Sequence, residues 1–158
     1  MDYDSRDVAA YIAQECRAHG ISYNNTKIQK LLYCTYGFFL GWKKDRICDE
    51  HPRAWQYGPV FPKVFNYFHK HKDISDYSKT IAESGSENDD IKAAVASVIQ
   101  NFGKYPASQL SAWTHKQGSP WHRAVYGDEQ NEGAGLNTFI PDDYIGDYFR
   151  KKVLANVE

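Results

Sequence analysis

The sequence predicts a mainly α fold: a compact single domain of about six or seven helices around a buried central helix, with a small β ribbon. Three observations predict it. First, residues 26–42, TKIQKLLYCTYGFFLGW, form the longest near-apolar run of the chain and have helical spacing. Ile28, Leu31, Leu32, Thr35, Tyr36 and Phe39 recur by threes and fours, and Tyr33, Phe38, Leu40 and Trp42 widen that stripe. A helix apolar on so much of its surface belongs in the middle of a fold. Lys27, Gln29 and Lys30, together with its length, set it apart from a membrane span. Second, shorter amphipathic stretches flank it, each with its own start and stop residues. Third, the 158 residues contain no internal repeat and no linker, so one domain over 1–158 accounts for them. A chain of this size buries about two thirds of its unfolded surface, enough for one core without staples.

Taken in order, the first helix runs from about Ser5 to His19, capped by Asp4, with Val8, Ala9, Ile12, Ala13 and Cys16 on its packing face. Gly20 stops it by adopting a positive φ, and Ile21 closes the hydrophobic contact. His19 is a favourable cation near that helix end. Asn24 or Asn25 caps the central helix, which ends near Trp42 to Lys44. Residues 46–60, RICDEHPRAWQYGPV, have no helical period. Ile47, Ala54 and Trp55 suit one or two short strands, and 57–60 reads as a turn in which Gly58, before a proline, is extended. Pro62 opens the next helix, to about His71, with Val64, Phe65 and Phe68 facing in. Residues 73–87 read as an exposed loop with one short turn. Asn88 caps a helix whose stripe is Ile91, Ala94, Val95, Val98, Ile99 and Phe102, ended by Gly103. A short helix with Leu110 and Trp113 follows, from about Ala107 to Lys116, and Gly118 breaks it. Ser119-Pro120 restarts a helix carrying Trp121, Ala124 and Val125. Residues 127–137, GDEQNEGAGLN, read as a flexible acidic loop, and the last helix begins near Pro141 with Ile145, Tyr148, Phe149 and Val153 inside.

Composition narrows the function. With 19 basic and 20 acidic residues the net charge is −1, which argues against an electrostatic nucleic-acid binder. Cys16, Cys34 and Cys48 are odd in number and widely spaced, with neither a disulfide framework nor a CxxC knuckle. The opening MDYDSRDVAA lacks the basic and apolar regions of a signal peptide, so a reducing cytoplasm is the expected compartment and no membrane is expected as a partner. The 12 Tyr, 8 Phe and 4 Trp exceed what a core needs and favour a protein-contact surface.

No motif carries chemistry. His69 and His71 in FHKHKDISD sit about 200° apart on a regular helix and cannot share an ion with Asp73 and Asp76 without unwinding. HExxH, GxSxG and HxE…PCxxC are absent. The acidic loop lacks the lysine and spacing of a phosphate cradle. No cofactor and no metal are expected. The two proline-led segments are more informative. Trp55, Tyr57, Gly58 and Pro59 in one, and Thr114, His115, Lys116 and Trp121 in the other, each join an aromatic to a rigid turn. As core-closing corners they account for Trp55 and Trp121. As a partner-binding set they place Tyr57, His115 and Lys116 along a groove between the corners.

Three blocks in order, Ile28-Gln29-Lys30-Leu31-Leu32-Tyr33, then Ala54-Trp55-Gln56-Tyr57-Gly58-Pro59-Val60, then Leu110-Ser111-Ala112-Trp113-Thr114-His115 with Pro120-Trp121, resemble the Panacea domain family, which includes the SocA-like proteolytic adaptors and phage-associated proteins. The resemblance runs from about Val8 to Phe149. The chain departs from the pattern at Cys34, where an aromatic is usual, and at Trp113, where a smaller apolar residue is common. The resemblance implies an antitoxin of a toxin–antitoxin pair, encoded beside a protein toxin and neutralising it by direct contact, rather than an enzyme. It also implies an alternative, an adaptor that delivers the toxin to a AAA+ protease. A hydrolase-like enzyme centred on His115 needs that ring beside a carboxylate, with His51 or His122 converging. A DNA-binding regulator needs clustered cations, and only Lys70 with Lys72 and Arg150-Lys151-Lys152 supply any. The acids of 128–132 suit a basic partner surface.

Overall fold

In the computed structural model, which describes residues 3–154, the near-apolar run forms one helix that most other elements touch. In chain order the elements are α1 (Ser5–Ala18), α2 (Asn25–Lys43), β1 (Arg53–Trp55), β2 (Gly58–Val60), α3 (Pro62–His71), α4 (Thr80–Glu83), α5 (Asp89–Phe102), α6 (Ala107–Thr114), α7 (Pro120–Tyr126) and α8 (Asp142–Tyr148), followed by a π-turn, Phe149–Val153. The mainly α domain with one small ribbon is as expected. The helices beyond six or seven are short, α4 being a single four-residue turn.

Asn24 caps α2 by accepting the Lys27 N–H, and Lys44 ends it in a left-handed conformation with φ 57°. Its stripe is buried on several sides against α1, α3, α5, α6, α8 and the π-turn. Trp42 departs from the stripe. It lies in the last turn, is 42% exposed, and rests its ring on Phe38 and Phe39. Gly37 allows the closest approach in the core. A Cβ there would lie 2.3 Å from the Phe149 ring, which also meets Tyr33 edge to face.

The α1 stop is a Schellman motif. Gly20 takes φ 68°, the Ile21 N–H reaches the Cys16 carbonyl at 2.8 Å, and the Gly20 N–H reaches that of Arg17 at 3.2 Å. Four local expectations change. Asn88 stands at the start of α5 without capping it, because its side chain is buried and bonded to Tyr3 and Ser84 instead. The segment 73–87 is not simply exposed: Ile74 and Ile81 insert into the core, and Gln14 of α1 donates to the Ser75 and Ser78 carbonyls. The turn lies at Gln56-Tyr57, one step before the stretch 57–60, so that Gly58-Pro59-Val60 is strand β2, paired antiparallel with β1 from Trp55↔Gly58 to Arg53↔Val60. Gly58 itself adopts φ 114° rather than an ordinary extended φ. Residues 137–140 then run along the other edge of β1, where the Ala54 N–H donates to the Thr138 carbonyl, the Asn137 N–H to that of Ala54 and the Ile140 N–H to that of Pro52.

The Gly37 contact yields a prediction. Gly37→Ala gains helix propensity but drives a methyl into Phe149, so urea unfolding should show a loss of about 1–3 kcal/mol. Gly146→Ala, whose new Cβ would meet atoms only at 3.8 and 3.9 Å, should be neutral or stabilising in the same assay.

Candidate functional site

The polar residues of the central helix are not a solvent face. Lys27, Gln29 and Lys30 are buried, and each reaches a different segment of the chain. Lys27 Nζ donates to the Gly103 carbonyl at 2.7 Å, where α5 ends. Gln29 Oε1 accepts the Phe61 N–H at 2.8 Å, where α3 begins, and its amide donates to Asn25. Lys30 Nζ donates to the Pro59 carbonyl at 3.0 Å, in β2. Lys30 is 1% exposed, and burial pushes its ammonium down from 10.5 to about 8.

The two proline-led segments meet above Lys30. Gly58 packs so closely that a Cβ would lie 2.7 Å from Thr114 Oγ1 and 2.8 Å from Lys30 Cε. Ser111 Oγ donates to the Tyr57 carbonyl at 2.6 Å, and Ser119 Oγ to that of Thr114 at 2.7 Å. Trp121 is buried, packs against His115 with tilted rings whose centres are 4.1 Å apart, and donates its indole N–H to the Trp55 carbonyl at 2.8 Å. His115 has Nδ1 2.6 Å from the Ser111 carbonyl and Nε2 2.7 Å from the Gln56 carbonyl. A neutral imidazole can donate to one of these, an imidazolium to both. Both ring nitrogens therefore face backbone carbonyls, and neither is aimed at a substrate position. The structure thus brings Trp55, Tyr57, Gly58, Pro59, Thr114, His115 and Trp121 into one junction, with the hairpin strapped to the α6–α7 corner. Lys116 lines a separate cleft beside Tyr105 and Trp113.

This junction presents one face of the ribbon outward. Tyr57 at the hairpin turn is 70% exposed. Trp55 is half-buried, meets Phe65 of α3 edge to face at 5.2 Å, and donates its indole N–H to Asn137 Oδ1 at 3.1 Å. His69 stacks on the far side of Phe65. The Arg53 guanidinium lies 4.0 Å from the centre of the Phe139 ring and donates to the Asn137 carbonyl. Phe139 and Leu136 are 53% and 54% exposed. Arg53 and Phe139 had no local signal, and Phe65 was read as facing in but is half-buried beside Trp55. They meet on this face because 137–140 pairs with β1 and α3 packs beside it.

Other histidines and acids that the sequence singles out have partners in the fold. Arg46 donates to His51 Nε2 at 2.6 Å, and His51 Nδ1 lies 3.5 Å from both Asp142 Oδ1 and the Tyr36 hydroxyl. Tyr36 donates to Asp142 at 2.6 Å; burial first, and that carboxylate second, push its phenol well up. His122 faces Tyr126, so His51, His115 and His122 keep separate partners. His71 stacks on Tyr67, and Asp73 is held by Arg17, Tyr23 and Ser75, so the FHKHKDISD stretch builds no ion site. Among the described residues no group of three His, Cys, Asp or Glu could hold a metal. The acidic loop is shaped by its own first acid: Asp128 accepts the Gln130 and Asn131 N–H groups and pairs with Arg123 at 2.9 Å, which lowers its pKa. No helix among the described residues is long and apolar enough to cross a membrane.

The family model described as antitoxin SocA-like, Panacea domain, matches residues 28–122, the span from the central helix through the α6–α7 corner. The chain is similar to Antitoxin SocA of Caulobacter vibrioides (strain NA1000 / CB15N), with 34% identity over 166 residues that cover 98% of this chain and 87% of the relative. No solved structure matches the chain.

The junction makes two predictions. Below about pH 8 the buried Lys30 ammonium carries its full desolvation cost. As pH rises from about 8 toward 10.5 the unfolded chain binds more protons than the folded one, so that cost disappears. The stability of the wild type relative to Lys30→Met should therefore rise across that window by up to about 3 kcal/mol, read by urea unfolding at each pH. Gly58→Ala should cost about 2–3 kcal/mol or more, since it adds a clash to a strained φ. Gly118→Ala, with φ 87° but open space around its Cβ, should cost only about 1–2 kcal/mol.

Proposed function

Because this chain belongs to the antitoxin SocA-like, Panacea domain family, we propose that it is an antitoxin that neutralises a protein toxin by stoichiometric contact through the outward face of the ribbon. One observation carries the reading. Tyr57, Trp55 and Arg53 stand on a short ribbon, with Phe139 beside them on the segment paired to Arg53, and the ribbon is bonded beneath to the central helix and to the α6–α7 corner. Tyr, Trp and Arg are the residue types that dominate protein-contact energetics, and holding them in place before contact removes part of the ordering cost of binding. The function is contact rather than turnover: His115 supports the hairpin, with both ring nitrogens facing backbone carbonyls. The toxin is the product of a gene beside this one.

Coexpression with the neighbouring gene tests the reading. Growth should be restored, and the two proteins should copurify in fixed ratio. Tyr57→Ala should weaken the complex by at least about tenfold while leaving the melting temperature unchanged, because that side chain makes few contacts within the fold. Rescue in which the toxin disappears, and returns when AAA+ proteases are removed, would assign the adaptor mechanism instead. Undiminished binding by Tyr57→Ala together with Trp55→Ala would move the contact surface elsewhere.

A further inference from the structure

We propose that the cleft between the end of α5, α6 and the π-turn is a second protein-docking site, one that takes a partner segment with an apolar anchor side chain beside carboxylates. The cleft has a volume of about 510 Å³ and includes Phe102, Tyr105, Leu110, Trp113, Lys116 and Lys152 in its lining. Its floor is apolar. Leu110 is buried, and the half-buried rings of Phe102 and Trp113 lie 5.3 Å apart. Lys116 supplies a cation, and no Asp or Glu is among the described lining residues. Lys104 adds a second cation beside it, its ammonium 5.4 Å from the centre of the Tyr105 ring.

Two of the polar groups at this cleft are donors without an acceptor. The indole N–H groups of Trp55 and Trp121 are given to oxygen atoms, whereas that of Trp113 meets no acceptor among the described residues. The Tyr105 hydroxyl stands in the same position, on a side chain 39% exposed. An apolar floor, donors and cations complement an anionic, acceptor-rich segment with one large apolar residue, and they repel a basic one. An apolar floor beside cations suits an apolar anchor flanked by carboxylates on a peptide. This site is distinct from the ribbon face, and the proposal stands or falls independently of toxin binding there.

Fluorescence anisotropy with two labelled peptides, GSDEFDELGS and GSKKFKKLGS, tests it on the full chain. At about 50 mM salt the acidic peptide should bind at least about fivefold tighter than the basic one, and at about 300 mM salt it should weaken. Lys116→Glu should lower its affinity at least about fivefold, whereas the same charge change at the exposed Lys70 of α3 should not. Equal affinity for the two peptides, binding that survives both Lys116→Glu and Tyr105→Ser, or no binding at about 1 mM peptide would overturn the proposal. Sedimentation showing a dimer that Lys116→Glu dissolves would assign the cleft to a second copy of the chain and would also overturn it.

Discussion

The hydrogen bond from Lys30 to the Pro59 carbonyl is the contact on which the arrangement of the candidate face depends. Removing an ammonium from water costs several kcal/mol, and here the hydrogen-bond partner is a carbonyl rather than a carboxylate. The bond recovers part of that cost, and the lowered pKa of Lys30 expresses the remainder. A buried charge of this kind is a poor source of stability. Its effect is positional, because only a hairpin that brings the Pro59 carbonyl to the ammonium satisfies it. Lys27 and Gln29 act in the same way at Gly103 and Phe61, so one turn of α2 sets the ends of three separate segments.

The ribbon above Lys30 is too short to be stable alone, since isolated two-stranded hairpins are marginal in water. It is held on every side that does not face solvent. Gly58 admits Thr114 and Lys30 where any side chain would exclude them. Ser111, His115 and Trp121 bond to the carbonyls of Tyr57, Gln56 and Trp55 in turn. Residues 137–140 cover the free edge of β1. The result is a rigid support for exposed aromatic groups, which is the economy expected of a surface that binds a protein without reorganising. The same geometry explains why a histidine in a prominent motif supports the hairpin: each of its nitrogens faces a backbone carbonyl.

Much of the fold was legible because its signals are local. The stripe from Ile28 to Phe39, the Gly20 stop, Pro62 at a helix start and the Ser119-Pro120 restart each depend on residues within one or two turns, and each appears where the sequence puts it. What was misread or left unread depends on distant partners. Nothing near Lys27, Gln29 and Lys30 in the sequence announces that Gly103, Phe61 and Pro59 come to meet them. Asn88 has every property of a cap but is claimed by Tyr3. The candidate face divides in the same way. Trp55, Tyr57 and the Thr114–His115–Trp121 corner announce themselves as aromatics beside turns, whereas Phe139 joins them through a pairing of Arg53 with a residue far along the chain. No periodicity can report such a pairing.

The central claim is that the supported ribbon is the surface that meets the toxin. Amide hydrogen exchange of the chain, alone and in complex with the neighbouring gene's product, tests it most directly. The account predicts that exchange slows on complex formation in residues 53–57 and 136–139 and stays largely unchanged along α1. Protection confined to other segments, with the ribbon exchanging as it does in the free chain, would contradict it.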